Sequence, residues 1–293
     1  KKYVDNYVID LEQLCHSPNS VKDNFTISYL DAPHYYHTLY YYDRAGNLIS
    51  TVAPEGVRYV NSRSETPQHE FRTMYYYNSL GQVVGQETPD AGESEFLYNA
   101  KGQLRFSQNA QQRKDGTCSY SKYDELGRVI ESGVYKGNGT DLIGMLKDVI
   151  KDEDTKGYDE DEGGLSATKR FPNSENEQTL KQIAERTVTI YSNPNLDLIW
   201  NGSPQRYLLN RVSQVHSYTI DGSKVSTYYS YDPHGNVEWM VNEIPGLGKT
   251  GVDYQYDLIS NKVTKVAIND KRKDSFYHKY SYDEDNRIQQ VFS

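Results

Sequence analysis

One seven-residue phrase recurs along this chain: Tyr, then Asp or Asn, two variable residues, Gly, a polar residue and an aliphatic one. A self-similar period settles an architecture before any single residue is weighed. The phrase runs from Tyr42-Asp43 to Gly46, from Tyr77-Asn78 to Gly81, from Tyr98-Asn99 to Gly102, from Tyr123-Asp124 to Gly127 and from Tyr231-Asp232 to Gly235. Two looser copies follow: Tyr256-Asp257 carries one extra residue before Val263, and Tyr282-Asp283 has Asn286 where the others have Gly. Successive tyrosines stand 35, 21, 25, 108, 25 and 26 residues apart. The unit is therefore a little over twenty residues, and the long gap holds degenerate copies or an insertion.

Each copy spells a turn between two strands. Asp or Asn opens a type I turn, and Gly closes it at the position where the backbone turns left-handed. Asn is the next most permissive residue there, so Asn286 is a conservative departure. Before the turns, aromatic residues alternate: Tyr40/Tyr42, Tyr75/Tyr77, Phe96/Tyr98, Tyr229/Tyr231, Tyr254/Tyr256 and Tyr280/Tyr282, with Ser121 in place of the earlier aromatic before Tyr123. Residues two apart share one face of a strand, so the pairs build an aromatic ladder on one side of a long sheet. Tyrosine outnumbers phenylalanine 28 to 7. A phenol combines an apolar body with a polar tip that needs water or a partner, which suits a broad hydrated face.

Thirty-six percent hydrophobic residues is low for a compact domain of 293 residues, whereas 13% aromatic is too rich for a disordered chain. A thin extended sheet satisfies both. No apolar run is long enough for a membrane span, and the net charge of −9 argues against a nucleic-acid partner. Eight acids between residues 148 and 162 account for much of that charge.

The pattern divides the chain into a leading β segment (1–38), a first array of repeats (39–135), an acidic insertion with short helices (136–187) and a second array continuing the same sheet (188–293). In the insertion, Ser174-Glu175-Asn176-Glu177 reads as a capping box ahead of Leu180, Ile183 and Ala184 at helical spacing. Asp152, Asp154 and Gly157 fall at three positions of a calcium loop, but Lys156 and Gly163 spoil two others, which leaves a solvated acidic loop as the reading. His34 and His37, three apart, would sit on opposite faces of a strand and make no metal site. Asp232-Pro233-His234-Gly235 is accounted for by its turn. Cys15 and Cys118 match no metal or redox spacing, and pairing stays open. No catalytic, cofactor-binding or metal-binding residue is assigned, and no enzyme activity is expected.

With the repeat established, the chain resembles the RHS/YD-repeat family of bacterial polymorphic toxins, Tc-toxin cocoons and animal teneurins. The resemblance is strongest in Tyr229 to Trp239, Ile244 to Gly248, Asp253 to Ser260 and Tyr280 to Ile288. Those stretches are similar to large proteins of Gram-negative bacteria that use type IX export. The resemblance implies an all-β array of hairpins in a spiralling, curved sheet, part of a hollow shell. It implies a secreted or cell-surface protein whose partners are its own further repeats and a C-terminal effector cargo, with secretion-apparatus or surface proteins as others. The family's self-cleaving core, with its paired Asp-Pro-x-Gly segments, has no counterpart here. The alternative is an adhesive module, because tyrosines on a wide face also suit sugars or proteins.

Overall fold

A computed structural model describes residues 37–58, 67–137, 142–156 and 170–293. The protein is all-β: one open antiparallel sheet of sixteen strands whose neighbours in space are neighbours in sequence. Its strands pair as eight hairpins. These are β1 (Leu39–Tyr42) with β2 (Leu48–Val52), β3 (Arg72–Tyr77) with β4 (Val83–Thr88), β5 (Gly92–Tyr98) with β6 (Leu104–Gln108), and β7 (Thr117–Tyr123) with β8 (Val129–Lys136). Then come β9 (Ile183–Tyr191) with β12 (Val212–Tyr218), β13 (Lys224–Tyr231) with β14 (Val237–Ile244), β15 (Gly248–Tyr256) with β16 (Val263–Ile268), and β17 (Phe276–Tyr282) with β18 (Ile288–Phe292). A two-stranded ribbon, β10 (Ile199–Trp200) and β11 (Ser203–Pro204), stands apart. Among the described residues no helix is long and apolar enough to cross a membrane.

All eight tyrosine turns lie along one border of this strip. At seven of them the opening Asp or Asn folds its side chain back over the turn. Asp43 Oδ1 accepts from the backbone of Ala45 and Asn47 while its other oxygen accepts from the Asn47 amide. Asp124 takes the Arg128 guanidinium in the same way, Asp232 takes Asn236, and Asn78 and Asn99 donate to Gln82 and Gln103. The fourth turn residue is left-handed, as at Gly235 with φ of 96°. In the looser copies Asn286 holds this conformation, and in the eight-residue phrase it is Asn261. Just past each turn the second strand carries one extra residue, a bulge at the same place in every hairpin.

The 108-residue gap hides one copy, at Tyr191. Its turn has grown from four residues into a strap, 192–211, that keeps the closing bond of the ordinary turn, from Ser192 N–H to the Arg211 carbonyl (3.0 Å). The insertion between β8 and β9 lies on the opposite border and differs from its sequence reading in two respects. The first half of the acidic run is not a loop: it belongs to a helix, α2 (Leu142–Lys156), which follows a short α1 (Ala110–Asp115) between β6 and β7. Leu142, Leu146 and Ile150 form its buried stripe, and Glu153 continues it. The second departure is at the capping box. Asn176, not Ser174, caps the single-turn helix α3 (Glu177–Leu180), accepting from the N–H groups of Gln178 and Thr179. Ile183 and Ala184 extend no helix. They open β9, because the β-branched run from Thr187 to Ile190 pairs with β12, its first two residues also with β8, and the β8 register sets Ile183 opposite Tyr135. The stretch 1–36, Gly157 and Gly163 lie outside the described residues, and with them His34, Cys15 and most of the leading segment.

Candidate functional surface: the tyrosine face and the packed face

The two faces of the strip differ in what covers them. On one, β7 buries Cys118, Tyr120 and Lys122, β13 buries Ser226, Tyr228 and Ser230, and β14 buries Trp239 and Val241. Both insertions pack here. Helix α2 seats Leu142, Ile143, Leu146 and Ile150 on Phe106, Cys118, Tyr120 and Tyr135. The strap lays Leu198 and Trp200 over Tyr228, Trp239 and Val241, and the Trp200 indole N–H donates to both Asp253 oxygens (3.1 and 3.0 Å). Gly251 makes room for that indole: a Cβ there would stand 2.3 Å from the Trp200 ring. Burial pushes the Asp253 carboxyl up, opposed by the N–H groups of Trp200 and Asn201.

Under α2 runs a buried row of charges. Arg105 makes a bidentate pair with Glu153 (3.0 and 2.9 Å) and donates to the Phe171 carbonyl (2.8 Å). Lys122 sits 3.1 Å from Glu131, which also accepts from the Tyr120 phenol and the Ser174 hydroxyl. Ser174, expected at a helix cap, therefore anchors the insertion instead. Burial pulls the Lys122 ammonium down, and Glu131 offsets part of that. It pushes the Cys118 thiol up to about 12, so the sulfur is an inert core group. Asp154, one of the residues considered for calcium, accepts from the Ala100 N–H (2.9 Å) in the β5–β6 turn. No metal-binding cluster occurs among the described residues.

The opposite face carries the ladder. Every repeat tyrosine from Tyr77 onward points here, half-buried, and its phenol has a fixed partner in the preceding hairpin. Tyr77 donates to the Leu48 carbonyl, Tyr98 to Val83, Tyr123 to Leu104, Tyr191 to Val129, Tyr231 to Val212, Tyr256 to Val237 and Tyr282 to Val263, at 2.8 to 3.1 Å. Each acceptor is the first residue of a second strand, two residues beyond the point where the ladder between hairpins stops, for example at Trp239 opposite Asp253. The strands part before the turn, and the phenol spans the gap. Burial pushes the Tyr98, Tyr231 and Tyr256 phenols up, which keeps them protonated donors. Composition suggested a wet phenol tip. In these residues the tip is a staple between repeats.

The rest of this face has two zones. Toward the end of the chain, Tyr229, Tyr254 and Tyr280 continue the ladder, with the Tyr254 and Tyr256 rings stacked at 6.4 Å and His278 edge-on to Phe276. In the middle, the register sets Ser121 against Ser132, Ser132 against Thr187 and Thr187 against Ser217, a belt of hydroxyls where the aromatic partner of Tyr123 is missing. Of the two insertions only the end of the strap reaches this face, where the Arg211 guanidinium lies over the Tyr231 ring, 5.4 Å from its centroid.

No protein-family model matches the chain, and no curated protein matches it in sequence. Among solved structures, the Tc holotoxin pore of Photorhabdus luminescens is 15% identical with a TM-score of 0.23, and a TcdB2-TccC3-Cdc42 complex is 14% identical with a TM-score of 0.26. These matches cover 87% and 86% of this chain but only 15% of each Tc chain. A porin-like protein from Bacteroides uniformis is 10% identical over 75% of this chain and 81% of its own, with a TM-score of 0.30. At such scores none of the three carries the functional reading, which rests on the strip itself.

Proposed function

We propose that this chain is a length of wall: a shell segment of an RHS-type repeat protein that encloses a C-terminal effector until delivery. The observation that carries the reading is the sidedness of the strip. Helix α2, the hydrophobic part of the strap and the large buried side chains lie on one face, and the tyrosine and hydroxyl face opposite is met by the strap only at Arg211 over Tyr231. A hydrogen-bonded strip of this kind can bound a volume with little core of its own, each hairpin held by its neighbours. A face of half-buried phenols and hydroxyls would hold a partly unfolded chain without the adhesion of a Leu-lined cavity. The same proposal makes the protein an exported one, by the type IX route, and gives it no chemistry of its own. Its buried ion pairs, Arg105 with Glu153 and Lys122 with Glu131, help fasten the insertion to the sheet. Adhesion to sugars or proteins is the weaker reading, since the repeat phenols that would grip a ligand already donate within the sheet.

The test is protease digestion of the full-length protein in which this strip occurs. The downstream effector should survive conditions that degrade it when it is expressed alone, and the triple variant Tyr123→Phe, Tyr231→Phe, Tyr256→Phe should expose it. An effector cleaved equally fast in both settings would end the wall reading.

A further inference from the structure

The strap doubles back through a two-residue turn between β10 and β11, Asn201-Gly202, with φ of 50° and 90°. Positive φ at both central residues defines the type I′ turn, and Asn-Gly is the pair it favours. This tip is clamped from two sides. The Asn201 amide donates to both Asp253 oxygens (3.3 and 3.2 Å), beside the Trp200 indole that uses the same carboxyl. From the loop between β16 and β17, Lys271 donates to the Asn201 carbonyl (3.4 Å), and the Arg272 guanidinium lies 4.2 Å from the centre of the Trp200 ring.

Asn201 is also the residue of the clamp that changes without an enzyme. Asparagine amides are thermolabile, and they lose ammonia through attack of the following backbone nitrogen on the side-chain carbonyl carbon. Glycine in the following place leaves that approach open, because it has no side chain and a permissive backbone. Of the left-handed asparagines Asn201, Asn210, Asn261, Asn269 and Asn286, only Asn201 precedes a glycine. Gly202 is exposed, and nothing stands within 4 Å of where its Cβ would lie. Its N–H makes no hydrogen bond among the described residues.

We propose that Asn201 is a self-modifying site whose conversion releases the strap. The Gly202 nitrogen bonds to the Asn201 side-chain carbon, the amide C–N bond breaks, and ammonia leaves with the Gly202 proton. Water then opens the succinimide at either carbonyl, giving aspartate or isoaspartate at this position, so water is the only co-reactant. The product replaces a donor by a carboxylate within reach of Asp253, and two carboxylates so placed resist ionising together. Burial already pushes the Asp253 carboxyl up, with Asp270 adding to the effect and Lys271 opposing it. The neighbouring strands bring no charge, since Asp253 pairs with Trp239 on β14 and Ala267 on β16. Repulsion therefore falls on the clamp, and the strap lifts from Tyr228, Trp239 and Val241. The inference rests on the strap alone, so its failure would leave the protease result intact.

The test is ageing of the purified chain in mildly alkaline buffer, with peptide mapping by mass spectrometry and tryptophan emission read on the same samples. Both tryptophans of the chain, Trp200 and Trp239, lie in the cluster under the strap, so emission should move to the red in step with conversion at Asn201. Asn201→Asp should show the shift at once, with amide exchange at residues 198–204 faster by about tenfold or more, the factor for one pKa unit of like-charge repulsion. The seated strap then holds a proton between two carboxylates that the released strap gives up. Acid should therefore reseat this variant and a rise in pH should free it. Asn201→Gly keeps the left-handed turn and adds no charge, and it should neither convert nor open. Asn201 left intact after a synthetic peptide of residues 198–206 has converted would overturn the inference. So would conversion with unmoved emission, an Asn201→Asp chain as closed as the parent at neutral pH, or equal opening by Asn201→Gly, which would give the effect to the lost hydrogen bond and not to charge.

Discussion

Removing one phenolic oxygen from the sheet, by Tyr256→Phe, should cost more than its size suggests. The Tyr256 hydroxyl donates to the Val237 carbonyl at 2.9 Å in a partly buried seam, and burial keeps the phenol neutral. Phenylalanine retains the ring and its packing but leaves that carbonyl short of a donor. A fully buried acceptor left so costs about 1–3 kcal/mol. Partial burial admits some water, which places the expected loss near about 1–1.5 kcal/mol. The control is Tyr254→Phe, two residues earlier on the same face, whose ring stacks on Tyr256 and whose hydroxyl bonds no group among the described residues. It should cost within about 0.5 kcal/mol, the range of a substitution that breaks no special feature. Urea titration gives both values from the shift in midpoint, and amide exchange should show faster opening around residues 237–240 only for Tyr256→Phe. Equal losses for the two variants, or no loss for Tyr256→Phe, would refute the staple.

Four further outcomes follow from the same geometry. Gly235→Val, at φ of 96° with the Arg211 guanidinium 2.6 Å from the new Cβ, should destabilise by about 1–2 kcal/mol from the left-handed backbone alone, read as a lowered urea midpoint. Gly251→Ala should push Trp200 off the sheet, with a loss of about 1–3 kcal/mol for overpacking and a red-shifted tryptophan emission. Glu153→Gln should leave Arg105 buried without its counter-charge and cost about 3–5 kcal/mol, with exchange rising across 142–156 before the rest of the strip. Hydrogen bonds within the turns hold the Asp43 and Asp257 carboxyls below the usual carboxylate range, from the Asn47 side chain and the Ser260 backbone first. The folded state then binds fewer protons than the unfolded chain, so this stability is present above about pH 4 and lost as pH falls through the folded pKa. Acid titration of an Asp43→Asn, Asp257→Asn double variant should show a shallower decline below about pH 4 than the parent.

Turn chemistry made the hairpins readable in the chain, because Asp or Asn at the first position and Gly at the fourth act locally and need no tertiary partner. The copy at Tyr191 escaped because its turn swelled into a strap, which kept the closing backbone bond and lost the phrase. Glu153 was hidden for a different reason. Its neighbours in sequence are acids and suggest a solvated run, and only its place on the helical stripe of Leu146 and Ile150, opposite Arg105 forty-eight residues away, makes it a buried anchor. The capping box at Ser174 failed to the same long-range chemistry, since Lys122 and Glu131 claim its hydroxyl. The phenol staples could not be read at all from one repeat. They join each tyrosine to a carbonyl of the previous hairpin, and the separation varies from 15 to 62 residues with the connection between them.

The claim that the tyrosine face looks into an enclosed space is tested most directly by hydroxyl-radical footprinting of the full-length protein against the isolated strip. The account predicts that Tyr229, Tyr254 and Tyr280 lose reactivity when the whole polypeptide is present, while exposed residues of the packed side, such as Leu196 and Leu209 on the strap, react equally in both. Undiminished labelling of those three tyrosines in the full-length protein would contradict it.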